Sequence, residues 1–278
     1  MSFKIAGVQM DIAIGDAAAN LGSMQRLATT ATENGAELVV FPECTLTGYC
    51  FDTFEDALAV SQPLSGDLVP RVVAMADRLK THILFGMLEL DDSGPQSKIY
   101  NVVVLVDQSG VIASYRKTHL PTLGVDRFTT PGDSATEIVR LPGINLGMNI
   151  CYDCSFPETA RVLALAGADL ILLPTNWPPG AGRVPDYIPN VRALENNVYY
   201  MSVNRIGSER GFDFVGKSKI CDPLGGELAF ADHTDEAILY GDVDVTWARK
   251  KHYVSVPGKH EVHRFEDRRP DLYGPLSD

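Results

Sequence analysis

Two rhythms of hydrophobic positions run along this chain: short unbroken apolar runs, and apolar residues three and four apart. Residues 3–9 form the first run and read as a strand. Asp16 or Asn20 can then open a helix in which Leu21, Met24, Leu27 and Ala31 share a face, with Gly35 as its stop. Residues 37–41 read as a buried strand, and 65–80 as a second helix with Leu68, Val72, Met75 and Leu79 on one side. A strand-rich block follows at 82–90, 100–107 and 111–115. The tight turn 108–110 makes a hairpin of the last two. Residues 136–140 and 144–150 pair around Pro142 and Gly143. The stretch 157–166 reads as a helix with proline in its first turn and Gly167 as its cap. Residues 170–173 form a strand, 185–197 are mainly helical, and 198–203 form another strand. The runs 216–221 and 238–243 read as a last pair joined through 222–226.

Strands alternating with helices, plus several hairpins, predict an α/β chain of mixed sheets covered by helices. The surplus of strands over helices points to two sheets back to back with helices outside. No internal repeat and no low-complexity linker is visible. Residues 1–248 read as one domain. Residues 249–278 are charged, carry Pro257 and Pro270, and show little periodicity. They read either as a surface tail or as an arm on a partner subunit, because Tyr253, Val254, Val256, Phe265, Leu272 and Tyr273 are too apolar for free disorder.

Composition narrows the class. The chain has 278 residues, 45% apolar and 22% charged, which suits a globular protein with a core of good size. Its net charge is −12, from 24 basic and 36 acidic residues, which argues against binding nucleic acid or an anionic membrane. No stretch reaches the ~18–20 apolar residues of a membrane span. The first residues read as a strand rather than a signal peptide. Five cysteines, an odd number, suggest reduced thiols in a cytoplasm.

Three passages put a reactive side chain just after a run expected to be a buried strand, where sheet proteins build sites. Glu43 follows Leu38-Val-Val-Phe-Pro42. A carboxyl group there has its pKa raised by burial, as a general base needs, or else caps a helix or joins a salt bridge. Lys117 lies in Tyr115-Arg-Lys-Thr-His-Leu-Pro121 and can stabilise an oxyanion or a thiolate, or be a solvated cation. Cys151 lies between an apolar strand and the helix marked by Ser155 and Pro157. The helix dipole is expected to lower its thiol pKa below the free value of about 8.5; the alternative is an inert buried cysteine. Strand, turn, nucleophile and helix is also the order of a nucleophile elbow.

Other patterns carry less. Cys151-x-x-Cys154 has redox spacing, with a reversible disulfide as its consequence, but lacks a thioredoxin-like context. No second C-x-x-C completes a zinc site, His260 and His263 lack an H-E-x-x-H frame, and no metal ligand set emerges. A Cys–His pair with His119 has no supporting flanks. Neither phosphate-loop nor dinucleotide glycine pattern occurs. Cys44, Cys50 and Cys221 read as structural.

The three passages, in this order, resemble the nitrilase superfamily of carbon–nitrogen hydrolases. The resemblance rests on Phe41-Pro-Glu-Cys-Thr-Leu-Thr-Gly-Tyr49, Tyr115–Pro121, and Asn149-Ile-Cys-Tyr-Asp153 with Phe156-Pro-Glu158. Leu173-Pro-Thr-Asn-Trp-Pro178, Arg192-Ala-Leu-Glu-Asn196 and Asn204-Arg-Ile-Gly207 support it, and it spans roughly residues 3–244. It implies a four-layer α-β-β-α sandwich that pairs into a homodimer or larger homo-oligomer. It implies catalysis by Glu43 as base, Lys117 as stabiliser of the tetrahedral intermediate and Cys151 as nucleophile, with no metal or organic cofactor. The backbone N–H of Tyr152 would share the oxyanion. The implied substrate is a small linear amide, cleaved with water to carboxylate and ammonia. N-carbamoyl amides and nitriles are alternatives on the same residues, as is a non-catalytic binding protein on this fold. Where many members carry a second glutamate ahead of a Pro-Gly, this chain has Asp126, which either orients Lys117 or substrate, or pairs with Arg127. Trp177 and Tyr49 are expected to line the substrate pocket. Arg183, Arg192 and Arg205 either bind a substrate carboxylate or pair with acids.

Overall fold

The computed structural model describes residues 2–134 and 137–277. In chain order the elements are β1 (Ser2–Gln9), α1 (Ala17–Glu33), β2 (Leu38–Val40), α2 (Phe54–Val60), α3 (Leu68–Leu79), β3 (His82–Asp91), β4 (Lys98–Asp107), β5 (Gly110–Arg116), β6 (Val139–Leu141) and β7 (Ile144–Met148). Then come α4 (Pro157–Leu165), β8 (Leu170–Thr175), α5 (Val184–Asn196), β9 (Tyr199–Asn204), β10 (Ser208–Glu209), β11 (Phe212–Asp213), β12 (Lys219–Cys221) and β13 (Glu227–Phe230). The chain closes with β14 (Ala237–Asp244), α6 (Val245–Arg249), β15 (His252–Val256) and β16 (His260–His263).

Two six-stranded mixed sheets form the centre, ordered β14-β1-β2-β3-β4-β5 and β6-β7-β8-β9-β12-β13. Read in these directions, both show one antiparallel pair, two parallel pairs and two antiparallel pairs. The sequence shows no matching repeat. The inner faces meet through Ile5, Leu38, Val40, Leu84, Val103 and Leu105 of one sheet and Leu146, Leu170, Leu172, Met201 and Val203 of the other. On the outer side of the first sheet, Val8, Val39, Ile83, Phe85 and Val104 bury the apolar face of α1 and α3. Helices α4 and α5 cover the second sheet through Ala160, Leu163, Ala164 and Ala193. The α-β-β-α sandwich is thus the fold, and it arises because the central strands β2, β8 and β9 bury both faces.

Local signals explain most boundaries. Asp16 caps α1 by accepting the Ala19 N–H at 3.0 Å, and the buried face is Leu21, Met24, Leu27, Ala28 and Ala31, as its spacing predicts. Helix α3 starts at Leu68 rather than 65, because residues 63–66 are drawn into a turn closed by Gly66 N–H to Pro63 O. Two expectations change. The runs near 219 and 238 do not pair: β12 lies in the second sheet between β9 and β13, while β14 crosses back to pair with β1. Periodicity cannot tell which edge a strand will reach, so this crossover was invisible. The short helix α2 and strand β13 have no counterpart in the sequence reading, being too short to show a period. The segment expected at 136–140 begins outside the described residues, and its strand starts at Val139.

The segment after Arg249 holds the hairpin β15–β16 and is tied to this chain at its near end. Arg249 grips Asp169 with two bonds of 2.9 and 2.8 Å, and Lys251 Nζ reaches Asn197 O at 2.5 Å. Val254, Val256, Leu272, Tyr273 and Leu276 further along are exposed. Among the described residues no helix is long and apolar enough to cross a membrane.

Candidate active site

Glu43, Lys117 and Asp126 come from loops at the ends of the first sheet, and Cys151 from the end of β7 in the second. Glu43 follows β2, where Phe41 N–H bonds Leu84 O and the chain turns through Cys44 at φ +50°. The turn lies flat on β3 because residue 86 is glycine: a Cβ there would stand 2.3 Å from the Cys44 nitrogen. Lys117 directly follows β5, its N–H bonded to Asn101 O on β4 at 2.8 Å.

The side chains converge without solvent. Glu43 and Lys117 are 0% and 1% exposed. Lys117 Nζ lies 2.8 Å from Glu43 Oε1 and 2.5 Å from Asp126 Oδ2. Asn101 donates from Nδ2 to both Glu43 Oε1, at 2.7 Å, and Asp126 Oδ1, at 3.0 Å. The Cys44 thiol points at Asn101 Oδ1 from 3.5 Å and so keeps the Asn101 amide in that orientation. Tyr49 donates its hydroxyl to Asp126 at 2.7 Å and sits beneath Lys117, whose Nζ is 5.8 Å from the ring centroid. Glu43 Oε2 is buried and has no hydrogen-bond partner among the described residues. From the second sheet, Asn176 Nδ2 donates to Glu43 O at 3.0 Å and so joins the two halves of the site.

Cys151 takes φ +44° at the first residue of a 3₁₀ turn, Cys151–Ser155, which is the strained strand-to-turn position expected of an elbow. Asp153 holds this turn. Its Oδ2 accepts the Ile150 N–H and the Tyr115 hydroxyl, both at 2.9 Å. Its Oδ1 accepts Thr118 Oγ1 and His119 N–H, both at 3.2 Å, and lies 2.7 Å from His119 Nδ1. One buried carboxylate therefore fixes the cysteine turn to the loop that carries Lys117. On the other flank Glu209, itself bonded to the buried Arg205, accepts the N–H groups of Tyr49 and Cys50 at 3.0 and 2.9 Å.

Electrostatics correct one expectation. The Cys151 thiol is held well above the ordinary cysteine range rather than below it: burial raises it most, and the Glu43 charge adds to that. Lys117, the Thr175 side chain and the Asn176 backbone N–H pull the other way without winning. The helix dipole does not rescue the thiolate because α4 begins only at Pro157, beyond the 3₁₀ turn, and the effect fades within one turn. Glu43 is raised above the usual carboxylate range by burial, against the opposing pull of Lys117. Burial works against the Lys117 charge, but Asp126 and Glu43 outweigh it and hold its pKa well above the ordinary lysine value. The site thus favours a neutral thiol and a charged Lys117, beside a Glu43 carboxyl group with one free oxygen.

Cys151 opens into a cavity of about 540 Å³ walled by Leu123, Tyr152, Trp177, Pro178, Val184 and Phe212. A larger groove of about 770 Å³ along β5 and β6 contains none of the reactive side chains. Trp177 thus stands in the cavity wall. Tyr49 does not, because its ring is taken up beneath Lys117; Gly124, at φ +50°, leaves room for that ring, which a Cβ would strike at 2.3 Å. Asp126 is not paired with Arg127, whose guanidinium bonds Gly124 O and Phe51 O instead. Arg183, Arg192 and Arg205 are engaged by Tyr187, by Cys154 O and Glu195, and by Glu209 and Asp11, and none lines the cavity. All five cysteines are free thiols, and no three metal-ligating side chains cluster among the described residues. The roles of Asn101 and Thr175 were not read from sequence. For Asn101 the available signal was one amide inside the apolar run of β4.

The family model for carbon-nitrogen hydrolases matches residues 4–252. The chain belongs to the nitrilase superfamily of carbon–nitrogen hydrolases. A nitrilase of Pyrococcus abyssi is 35% identical over 97% of this chain and 98% of its own length. An (R)-stereoselective amidase of a Pseudomonas species is 32% identical over 90% of this chain and 89% of its own. The crystal structure of an amidase from a Nesterenkonia species superimposes with a TM-score of 0.78 at 25% identity, covering 99% of this chain and 96% of that one. Within the carbon–nitrogen hydrolases, then, this chain sits among amidase-like relatives.

Proposed function

We propose that the protein hydrolyses a small linear amide to a carboxylate and ammonia through a thioester on Cys151. The observation that carries this is the free, buried Oε2 of Glu43 in a pocket where Lys117 already occupies Oε1. Glu43 takes the thiol proton as the sulfur attacks the amide carbon. Charge then develops on the carbonyl oxygen, for which Lys117 and the Tyr152 backbone N–H are the donors. The raised pKa of Glu43 makes it a competent acid for the next step, protonation of the leaving nitrogen. Ammonia departs, the Glu43 carboxylate deprotonates a water that attacks the thioester, and the carboxylate product leaves as the thiol recovers its proton. Asp126 and Asn101 hold Lys117 and Glu43 at fixed separation throughout.

The name of the Pyrococcus abyssi relative favours nitriles as a second reading. A panel of linear amides, N-carbamoyl amino acids and nitriles, scored for ammonia release by wild type and Cys151→Ala, separates the readings. Turnover of amides that disappears in Cys151→Ala supports the amidase. Turnover confined to nitriles or carbamoyl compounds overturns the substrate class. No Cys151-dependent turnover in the panel overturns catalysis by this site.

The acting unit is a homodimer in this proposal. Val162 and Leu165 on α4 and Tyr187, Val191 and Leu194 on α5 lie on the outside of the sandwich, each at least 39% exposed. These exposed apolar side chains on α4 and α5 are where a second copy would pack.

A further inference from the structure

Behind Cys151 lies a patch of the second sheet that is polar where a core is expected to be apolar. Asn149, Thr175, Tyr200 and Ser202 are fully buried there, and none of them lines the substrate cavity. Register puts them on one face. Strands β7, β8 and β9 run side by side, with Ile171 opposite Tyr200, Leu173 opposite Ser202 and Thr175 opposite Asn204. Asn149 extends β7 by one residue, its N–H bonded to Leu172 O at 2.9 Å. A Cβ on Gly147 would stand 2.9 Å from Leu163 of α4, so 147 and, by alternation, 149 face the helices. Ser202 lies opposite Lys219, whose Nζ reaches Asp186 O and Asn190 Oδ1 on α5, both at 2.9 Å. Tyr200, two residues back, shares that face and has Cys154, Arg192 and Asp153 near it. Thr175 is the member that meets the nucleophile: against the burial that raises the Cys151 thiol, its side chain pulls the other way.

Five buried polar atoms of this patch have no oxygen or nitrogen partner among the described residues: Asn149 Oδ1 and Nδ2, Thr175 Oγ1, Tyr200 OH and Ser202 Oγ. Protein interiors satisfy such groups with ordered water, each molecule making about three bonds. We propose that Asn149, Thr175 and Ser202 bind ordered water behind the nucleophile, and that Asn149 is a positioning residue acting on Cys151 through that water and the Thr175 hydroxyl. The proposal rests on the amidase reading of the site. The chemistry of the groups sets its direction. A threonine has one hydroxyl proton. Given to the Cys151 sulfur, it leaves the Thr175 oxygen as an acceptor in need of a donor. Water held by Asn149 and Ser202 is that donor. A hydroxyl that accepts a hydrogen bond donates a stronger one, so each bond behind Thr175 strengthens its bond to sulfur. The gain is largest while sulfur carries negative charge, as Glu43 takes its proton and the attack begins. It works against the burial and the Glu43 charge that keep the thiol neutral.

The test replaces Asn149 by leucine, of similar shape and without polar atoms, and Thr175 by valine. A cooperative thermal melt verifies folding. Iodoacetamide alkylation of Cys151, followed on its peptide by mass spectrometry across pH, reads the thiol. In Asn149→Leu the midpoint should rise by about one pH unit, the size of one hydrogen bond to the thiolate. With an amide substrate kcat should fall about tenfold and KM stay the same, because the patch lies outside the substrate cavity. Thr175→Val should do likewise, and the double variant should add little, since both side chains act in one chain of bonds. A folded Asn149→Leu with an unmoved midpoint, whatever its melting temperature, overturns the proposal. Should that variant fail to fold, Ser202→Ala, the smaller change, carries the same reading of the midpoint. A crystal structure of wild type with no water between Asn149 and Thr175 overturns the proposal as well. The midpoint is read without turnover, so a wild type that hydrolyses no amide sinks the amidase reading while the role of Asn149 is still decided.

Discussion

Glu43 uses one oxygen to hold Lys117 and Asn101 and keeps the other without a partner. An unsatisfied buried acceptor costs about 1–3 kcal/mol, so it is a feature that folding alone would remove. It yields two expectations that pull apart. In Glu43→Gln the like charge next to Cys151 is gone. The pH midpoint for alkylation of that thiol by iodoacetamide should therefore move down, while amide turnover collapses. A mutant whose thiol midpoint does not move would show that the carboxylate does not control the sulfur. In wild type, loss of activity on the acid side should follow protonation of Glu43. Because its pKa is raised, kcat/KM should begin to fall above the usual carboxylate range, as a pH–rate profile will show. Lys117→Met should lower kcat by about 10²–10³-fold, the usual loss of one oxyanion donor, in steady-state assays.

Among the elements, short backbone contacts do the aiming. Gly86 on β3 lets the Glu43–Cys44 turn lie on the sheet, and alanine there would force the turn outward by its 2.3 Å clash. Gly86→Ala should destabilise the protein by about 1–3 kcal/mol and abolish turnover, read by thermal melting and by ammonia release. Asp153→Ala strands the Ile150 N–H and the Tyr115 hydroxyl in the interior, with an expected cost of about 2–4 kcal/mol by denaturant titration. At this scale the sequence was most legible. The face of α1, the hairpin of β4 and β5 and the turn at Cys151 all follow from residues close in the chain, so spacing and turn chemistry reveal them. What was not legible depends on partners distant in sequence. Asn101 matters because it meets Glu43 and Asp126 across three chain segments. The Cys151 pKa is set by Glu43 and burial, not by the local helix that the sequence displays. Tyr49 looked like a pocket residue until Asp126 was found to engage its hydroxyl.

For the whole molecule, the site is shared between the two sheets, and α4 and α5 expose apolar side chains on their outer side. A homodimer through that face is expected in light scattering. Val191→Glu together with Leu194→Glu should give a monomer, whereas a dimer that survives both charges would move the contact elsewhere, the exposed tail beyond Val254 being the other apolar surface. Pairing of the domain's last strand with its first was not legible for the reason given by its topology. The choice of edge for β14 lies in the packing of both sheets, not in its own eight residues.

That pairing also sets a timetable for synthesis. The edge of β1 is translated long before the strand that covers it, which ends at Asp244. At about 5–20 residues per second the nascent chain carries an uncovered apolar edge for on the order of tens of seconds. The nascent chain is therefore sticky until β14 is out, and ribosome-bound chaperones that shield strand edges are the factors on which its yield should depend.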